Sequence, residues 1–172
     1  MTGLFGMLGA ALFVVFIAAV DHGVHQLNLQ IQSSEVPTNI SMGTKVAVGD
    51  PGNTGITSVT VESLTMPVAP GPDVAAPGSG KEYAVGKVEV CAGSAGSQSG
   101  VDDFNFSLGF TAGQSVLAFT TGKTPDLGNV RGNGANACAT GYVSFEIASG
   151  TTPAYVAYQP TLVHQYRWKT PG

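Results

Sequence analysis

The chain has 172 residues, enough for one domain plus an appendage, and only 10% of them are charged, against roughly 25% in soluble domains. A net charge of −4 without any basic stretch excludes an electrostatic footing on nucleic acid. With 24 Gly and 10 Pro, a helical bundle is disfavoured and short strands joined by turns are favoured. A hydrophobic content of 43% supplies a core and excludes wholesale disorder.

The run from Gly3 to Val20 carries no charge, and the first charged residue is Asp21. As a helix its eighteen residues reach roughly 27 Å, close to the hydrocarbon thickness of a bilayer. Small residues near Ala18 and Ala19 resemble a signal-peptide cleavage site, but the basic n-region of a signal peptide is missing. The segment is therefore expected to be a retained transmembrane α-helix over residues 1–22. Gly3, Gly6 and Ala10 fall near one helix face, the small-residue pattern that lets another membrane helix approach closely. Residues 3–20 are expected to contact the lipid bilayer and either other membrane helices or copies of this chain. His22 and His25 stand at i, i+3, but no third ligand is near, and they are read as boundary residues rather than as a metal site.

Residues 26–32 alternate Leu27, Leu29 and Ile31 with polar neighbours, a half-buried strand pattern. Ser33 to Gly43 reads as a linker, so 23–43 is assigned as strand and linker, and 44–172 as the β domain. Thr44–Val48 is a short strand ending in turn residues. Gly55–Met66 alternates imperfectly, which predicts a bulge. Pro67–Gly80 is too long for a tight hairpin and suits a crossover between sheets or a binding loop. Lys81–Cys91 is a strand in which Gly86 marks a bulge that reconciles Tyr83 and Val85 with Val88 and Val90. Phe104–Phe110, Ser115–Phe119, Gly141–Ile147, Ala154–Tyr158 and Gln165–Trp168 complete about eight strands, with Thr121–Ala137 as a long polar loop. Regular short strands without helical interruptions predict an all-β antiparallel sandwich.

Cys91 and Cys138 are the two cysteines. They are either one disulfide or two buried thiols, and the disulfide is favoured if the domain lies outside the cytoplasm. On the chain-entropy model such a bond stabilises the fold by about 3–4 kcal/mol.

The series Val48-Gly49-Asp50, Lys81-Glu82-Tyr83-Ala84-Val85, Val88-Glu89-Val90 and Phe104-Asn105-Phe106-Ser107-Leu108 continues into Gly141-Tyr142-Val143-Ser144-Phe145-Glu146-Ile147 and Pro153-Ala154-Tyr155-Val156-Ala157-Tyr158. It resembles a domain family of unknown function in bacterial, notably actinobacterial, exported proteins and lipoproteins. The family's immunoglobulin-like sandwich is related to a secreted mycobacterial antigen. Tyr166-Arg167-Trp168 and the two cysteines match its actinobacterial style, and the resemblance spans residues 43–169. It implies an immunoglobulin-like fold and an exported location, and it carries over no functional residues. Lipoproteins of that family bear a lipidated cysteine after the signal, whereas no cysteine precedes Cys91 here.

Catalytic chemistry finds little material. His164 is the only histidine beyond the N-terminal region, and no Gly-x-Ser-x-Gly elbow occurs. Asp102-Asp103 reads as a solvated acidic pair, and Gly132-Asn133-Gly134 lacks the context of a phosphate loop. Asn39-Ile40-Ser41 and Asn105-Phe106-Ser107 fit the N-glycosylation pattern, the second inside an expected core strand. Tyr155, Tyr158, Tyr166 and Trp168 are assigned to the core and sandwich edge. The expectation is a non-catalytic accessory or structural subunit, without cofactor or metal. It is placed at the cell membrane as a single-pass protein whose β domain lies outside the cytoplasm and contacts another protein surface. The alternative is a pilin-like subunit of an extracellular filament, because archaeal-type pilins and flagellins also join an apolar helix to a β domain. Against that alternative, the apolar run stops early, at Asp21.

Overall fold

A computed structural model describes residues 39–48, 55–72, 74–93, 105–119, 123–129, 137–161 and 164–171. The chain divides into two units, Met1–Glu35 and Val36–Gly172, and all described residues belong to the second. The apolar run with Gly3, Gly6 and Ala10, the pair His22 and His25, the strand pattern of 26–32, Asp102-Asp103 and Gly132-Asn133-Gly134 lie outside the described residues. Among the described residues no helix is long and apolar enough to cross a membrane.

Nine strands appear among the described residues: β1 (Ile40–Ser41), β2 (Val46–Ala47), β3 (Ile56–Val68), β4 (Lys81–Ala92), β5 (Phe106–Gly109), β6 (Ser115–Leu117), β7 (Cys138–Ala148), β8 (Tyr155–Thr161) and β9 (His164–Lys169). They form a five-stranded sheet ordered β1-β9-β8-β5-β6 and a four-stranded sheet ordered β2-β3-β4-β7. All neighbours run antiparallel except β1, which pairs parallel with β9 through Ile40 and Trp168. The sandwich is thus not purely antiparallel. Its first strand also lies inside the stretch 23–43 that the sequence assigns to strand and linker.

Alternation decides the core. In β4 and β7, Ala84, Val88 and Val90 face inward together with Val143, Phe145 and Ile147. From the other sheet Phe106, Leu108, Val156, Tyr158 and Trp168 meet them, all fully buried. Each such side chain contributes about 1.5–3 kcal/mol through burial. The polar handles of the aromatic pair on β9 are satisfied by main chain beside β2. The Trp168 Nε1–H donates to the Thr44 carbonyl at 3.0 Å, and the Tyr166 hydroxyl donates to the Val48 carbonyl at 3.4 Å.

The bulge expected in Gly55–Met66 is present: β3 shifts register between Ile56 and Ser58, Val61 and Ser63, and Thr65 and Val68. Two other expectations are corrected. Pro67–Gly80 is no crossover, because β3 and β4 are antiparallel neighbours in one sheet. Gly86 marks no bulge, because β4 pairs with β7 in unbroken register from Lys81 to Cys91. Tyr83 and Val85 therefore face away from the core, and they are buried because chain covers the outer side of the sheet. Tyr83 donates to the Ala75 carbonyl at 3.0 Å, and its ring lies 5.6 Å from that of Phe119. The loop Thr121–Ala137 also holds what polarity concealed: a 3-10 turn, Leu127–Asn129, whose Leu127 is a fully buried core residue.

Candidate functional site

The acidic side chains with resolved partners are engaged across strands. Glu62 pairs with Lys87 at 2.6 Å, Glu89 with Lys45 at 3.5 Å, and Glu146 with Lys81 at 2.7 Å. The Glu62 hydrogen bond raises the Lys87 pKa. The Gly78 N–H, which donates to Glu146 at 2.9 Å, and then the Lys81 ammonium hold the Glu146 carboxyl below its ordinary range. Burial raises the Tyr166 pKa. Asp126 accepts from the Gly128 N–H at 3.0 Å, and His164 Nδ1 lies 3.0 Å from the Thr161 hydroxyl in the β8–β9 connection. On the outer face of the five-stranded sheet the Arg167 guanidinium stacks 4.6 Å above the Tyr155 ring. Tyr155 thus stands outside the core to which its neighbours Tyr158, Tyr166 and Trp168 belong.

Cys91 and Cys138 form a disulfide. They are register partners of β4 and β7, so the bond staples adjacent strands of one sheet rather than the two sheets. Glu89 lies beside them. The three do not make a metal site, because sulfurs bonded to each other offer no thiolate. Of the two glycosylation patterns, Asn105-Phe106-Ser107 enters β5, where Phe106 and Ser107 are buried. Asn39 is exposed beside the buried Ile40.

Among the described residues a concavity lies at the side of the sandwich where the edge strands β6 and β7 face each other. The chain leaving β6 closes part of this side. Phe119 makes an antiparallel bridge to Ser144, Asp126 makes a parallel bridge to Tyr142, and Leu127 plugs the core behind them. Gly141 is required there, since a Cβ at that position would come within 2.7 Å of the Leu127 Cα. Beside the Phe119–Ser144 contact lies a cleft of about 530 Å³. Phe110, Val116, Phe119 and Ile147 supply apolar walls, and Lys81, Glu146, Gln114 and Thr151 form the rim. That volume suits a ligand-sized group, and an apolar floor with few polar groups is the usual composition of a binding pocket. Sequence reasoning missed this site. Its residues come from β4, the β5–β6 hairpin and Phe119 beyond it, and β7 with Thr151 beyond it, and each reads locally as an ordinary strand or turn residue. The signal within reach was the alternation of Gly141–Ile147, which fixes the face but not the exposed edge.

The sandwich is similar to a secreted protein from Mycobacterium tuberculosis, MPT63, with a TM-score of 0.53 and 20% identity over 79% of this chain and 99% of that chain. It also aligns with the yjhA protein from Bacillus subtilis, at a TM-score of 0.46 and 14% identity over 78% of this chain and 99% of that one. No family model matches the chain, and no curated protein matches its sequence. At this identity the likeness to MPT63 establishes the two-sheet fold.

Proposed function

We propose that this chain is a non-catalytic extracytoplasmic subunit that acts by protein contact. Its β-sandwich, of immunoglobulin-like type, is carried at the membrane by the apolar run 3–20. The observation that carries the location is the Cys91–Cys138 bond, since structural disulfides belong to oxidising compartments. The secreted character of MPT63 supports the same placement. Non-catalytic action is supported by the use of the charged groups: Glu62, Glu89 and Glu146 are held by lysines, and Asp126 by main chain. In this reading residues 3–20 pack as a helix against other membrane helices through Gly3, Gly6 and Ala10, and the sandwich rests on an extracytoplasmic protein surface.

The test uses the full chain in its native membranes. The expected result is resistance to carbonate extraction, digestion of the sandwich by protease added from outside the cell, and a cross-linked partner when a photo-reactive residue replaces Gly6. A lone monomer purified in mild detergent, without a cross-linked partner, overturns the subunit reading. Electron microscopy of cell-surface material separates the alternative: a polymer formed through residues 3–20 replaces the discrete complex with a filament.

A further inference from the structure

The opening between β6 and β7 is bounded by main chain as well as by apolar side chains. In β7 the Ser144 carbonyl accepts from the Phe119 N–H, and the Tyr142 N–H donates to the Pro125 carbonyl. The main-chain groups of these even-numbered residues therefore point away from β4. Antiparallel pairing alternates this direction strictly, so the N–H and C=O of Glu146 and the N–H of Ala148 point the same way. The Ala148 carbonyl is occupied by the N–H and hydroxyl of Thr151. Across the cleft, the Ala118 N–H donates to Phe106 and the Phe110 N–H to Gln114, which turns the main-chain groups of Ser115 and Leu117 outward from β5. Among the described residues no strand pairs with β7 on its outer side beyond the bridges at Ser144 and Tyr142.

Two features say what fits there. The β7 edge already pairs with its own chain at two positions, antiparallel at Phe119 and parallel at Asp126, so its outward main-chain groups are within reach of strand-like partners. The cavity beside it is walled by Phe110, Val116, Phe119 and Ile147, while the rim charges of Lys81 and Glu146 neutralise each other at 2.7 Å. A small apolar molecule would use the walls and ignore the edge. An extended peptide uses both, the main chain supplying affinity and a side-chain socket supplying specificity.

From this geometry we infer that the cleft is a strand-addition site for an extended, uncharged segment of a partner protein. The segment pairs with Glu146 and Ala148 and places one Leu, Ile or Phe side chain in the cavity. The inference deepens the reading of the sandwich as a protein-contact module and rests on it.

The experiment measures fluorescence anisotropy of dye-labelled peptides with the full chain in lipid nanodiscs. The probe is a threonine-rich peptide with a central Leu. It is compared with the same peptide bearing a central Asp and with one N-methylated on alternate amides. Two variants address the two walls. Ala148→Pro removes an N–H that bonds nothing in β4, and Val116→Phe fills the cavity from the facing edge. Saturable binding of the Leu peptide is expected, weakened about tenfold or more by each change, with the urea midpoint of Val116→Phe kept near wild type. Absence of saturable binding overturns the inference. Binding indifferent to N-methylation, or displaced equally well by a short alkyl alcohol, also overturns it and makes the cleft a small-molecule pocket. If Ala148→Pro unfolds, the N-methylated peptide and Val116→Phe still decide. Peptide binding by a chain that shows no membrane anchoring removes the anchor but leaves the strand site. Intact membrane cross-links without peptide binding do the reverse.

Discussion

At the residue scale, two glycines in strands carry opposite tolerances. A Cβ on Gly141 meets the main chain of Leu127, 2.7 Å from its Cα and 3.0 Å from its nitrogen. Main chain yields little, so Gly141→Ala should destabilise by about 1–3 kcal/mol through overpacking. The atoms nearest to a Cβ on Gly109 belong to the ring of Tyr155, a half-buried side chain on the outer face that can swing aside. Gly109→Ala should therefore lose little more than the Arg167–Tyr155 stacking, about 0.5–1 kcal/mol at an exposed site. Urea titration of the two variants checks the order, and an equal effect would contradict it. Glu146 offers a test by pH. Its carboxyl is held below the ordinary range by the Gly78 N–H and Lys81. Its contribution is therefore present above the unfolded-state carboxyl pKa and is lost as pH falls through the folded one. Glu146→Gln should lower the urea midpoint at neutral pH, and its difference from wild type should disappear in acid. A constant difference across that range would assign the effect to packing rather than charge.

At the scale of elements, β4 and the edge strand β7 form a continuous ladder of the four-stranded sheet. They share an unbroken register of eleven pairs from Lys81–Ala148 to Cys91–Cys138. The disulfide closes a sequence separation of 47 residues, which the chain-entropy model values at about 4 kcal/mol against typical losses of 2–4. Replacing both cysteines by alanine should lower unfolding free energy by about 2–4 kcal/mol while preserving the β-sheet circular dichroism spectrum. The comparison is made by urea titration of the double variant and of wild type with and without reductant. An unchanged midpoint would mean that the sheet register alone confines the loop. The turn after β6 works differently, since Leu127 enters the core from the short 3-10 turn Leu127–Asn129. One buried side chain there anchors a connection that polar composition would leave free.

At the scale of the whole molecule, the core joins two sheets whose inner faces come from strands distant in sequence. Trp168 packs in that core while its indole N–H reaches Thr44, which ties the last strand to the beginning of the sandwich. The described core draws on residues from Ile40 to Trp168, inside the unit Val36–Gly172. A chain of residues 36–172 should fold alone, with a single cooperative urea transition and protection of slow amides in β4, β7 and β8. A non-cooperative transition would show that residues 1–35 complete the fold.

Alternation of apolar and polar residues in Phe106–Leu108 and Val143–Ile147 determined, from sequence alone, the all-β class, most strands and the buried faces, because a strand's side chains obey a period of two wherever it lies. The two cysteines were visible, but whether they bond, and that they staple neighbours within one sheet, was not. Only the tertiary structure decided that Tyr83 and Val85 are buried on the outer side, that Ile40 joins the sheet in parallel with β9, and that Leu127 belongs to the core. It alone set the cleft between β6 and β7. Strand order and exposed edges depend on which distant segments meet, and local periodicity records a residue's face without recording its neighbour across the gap.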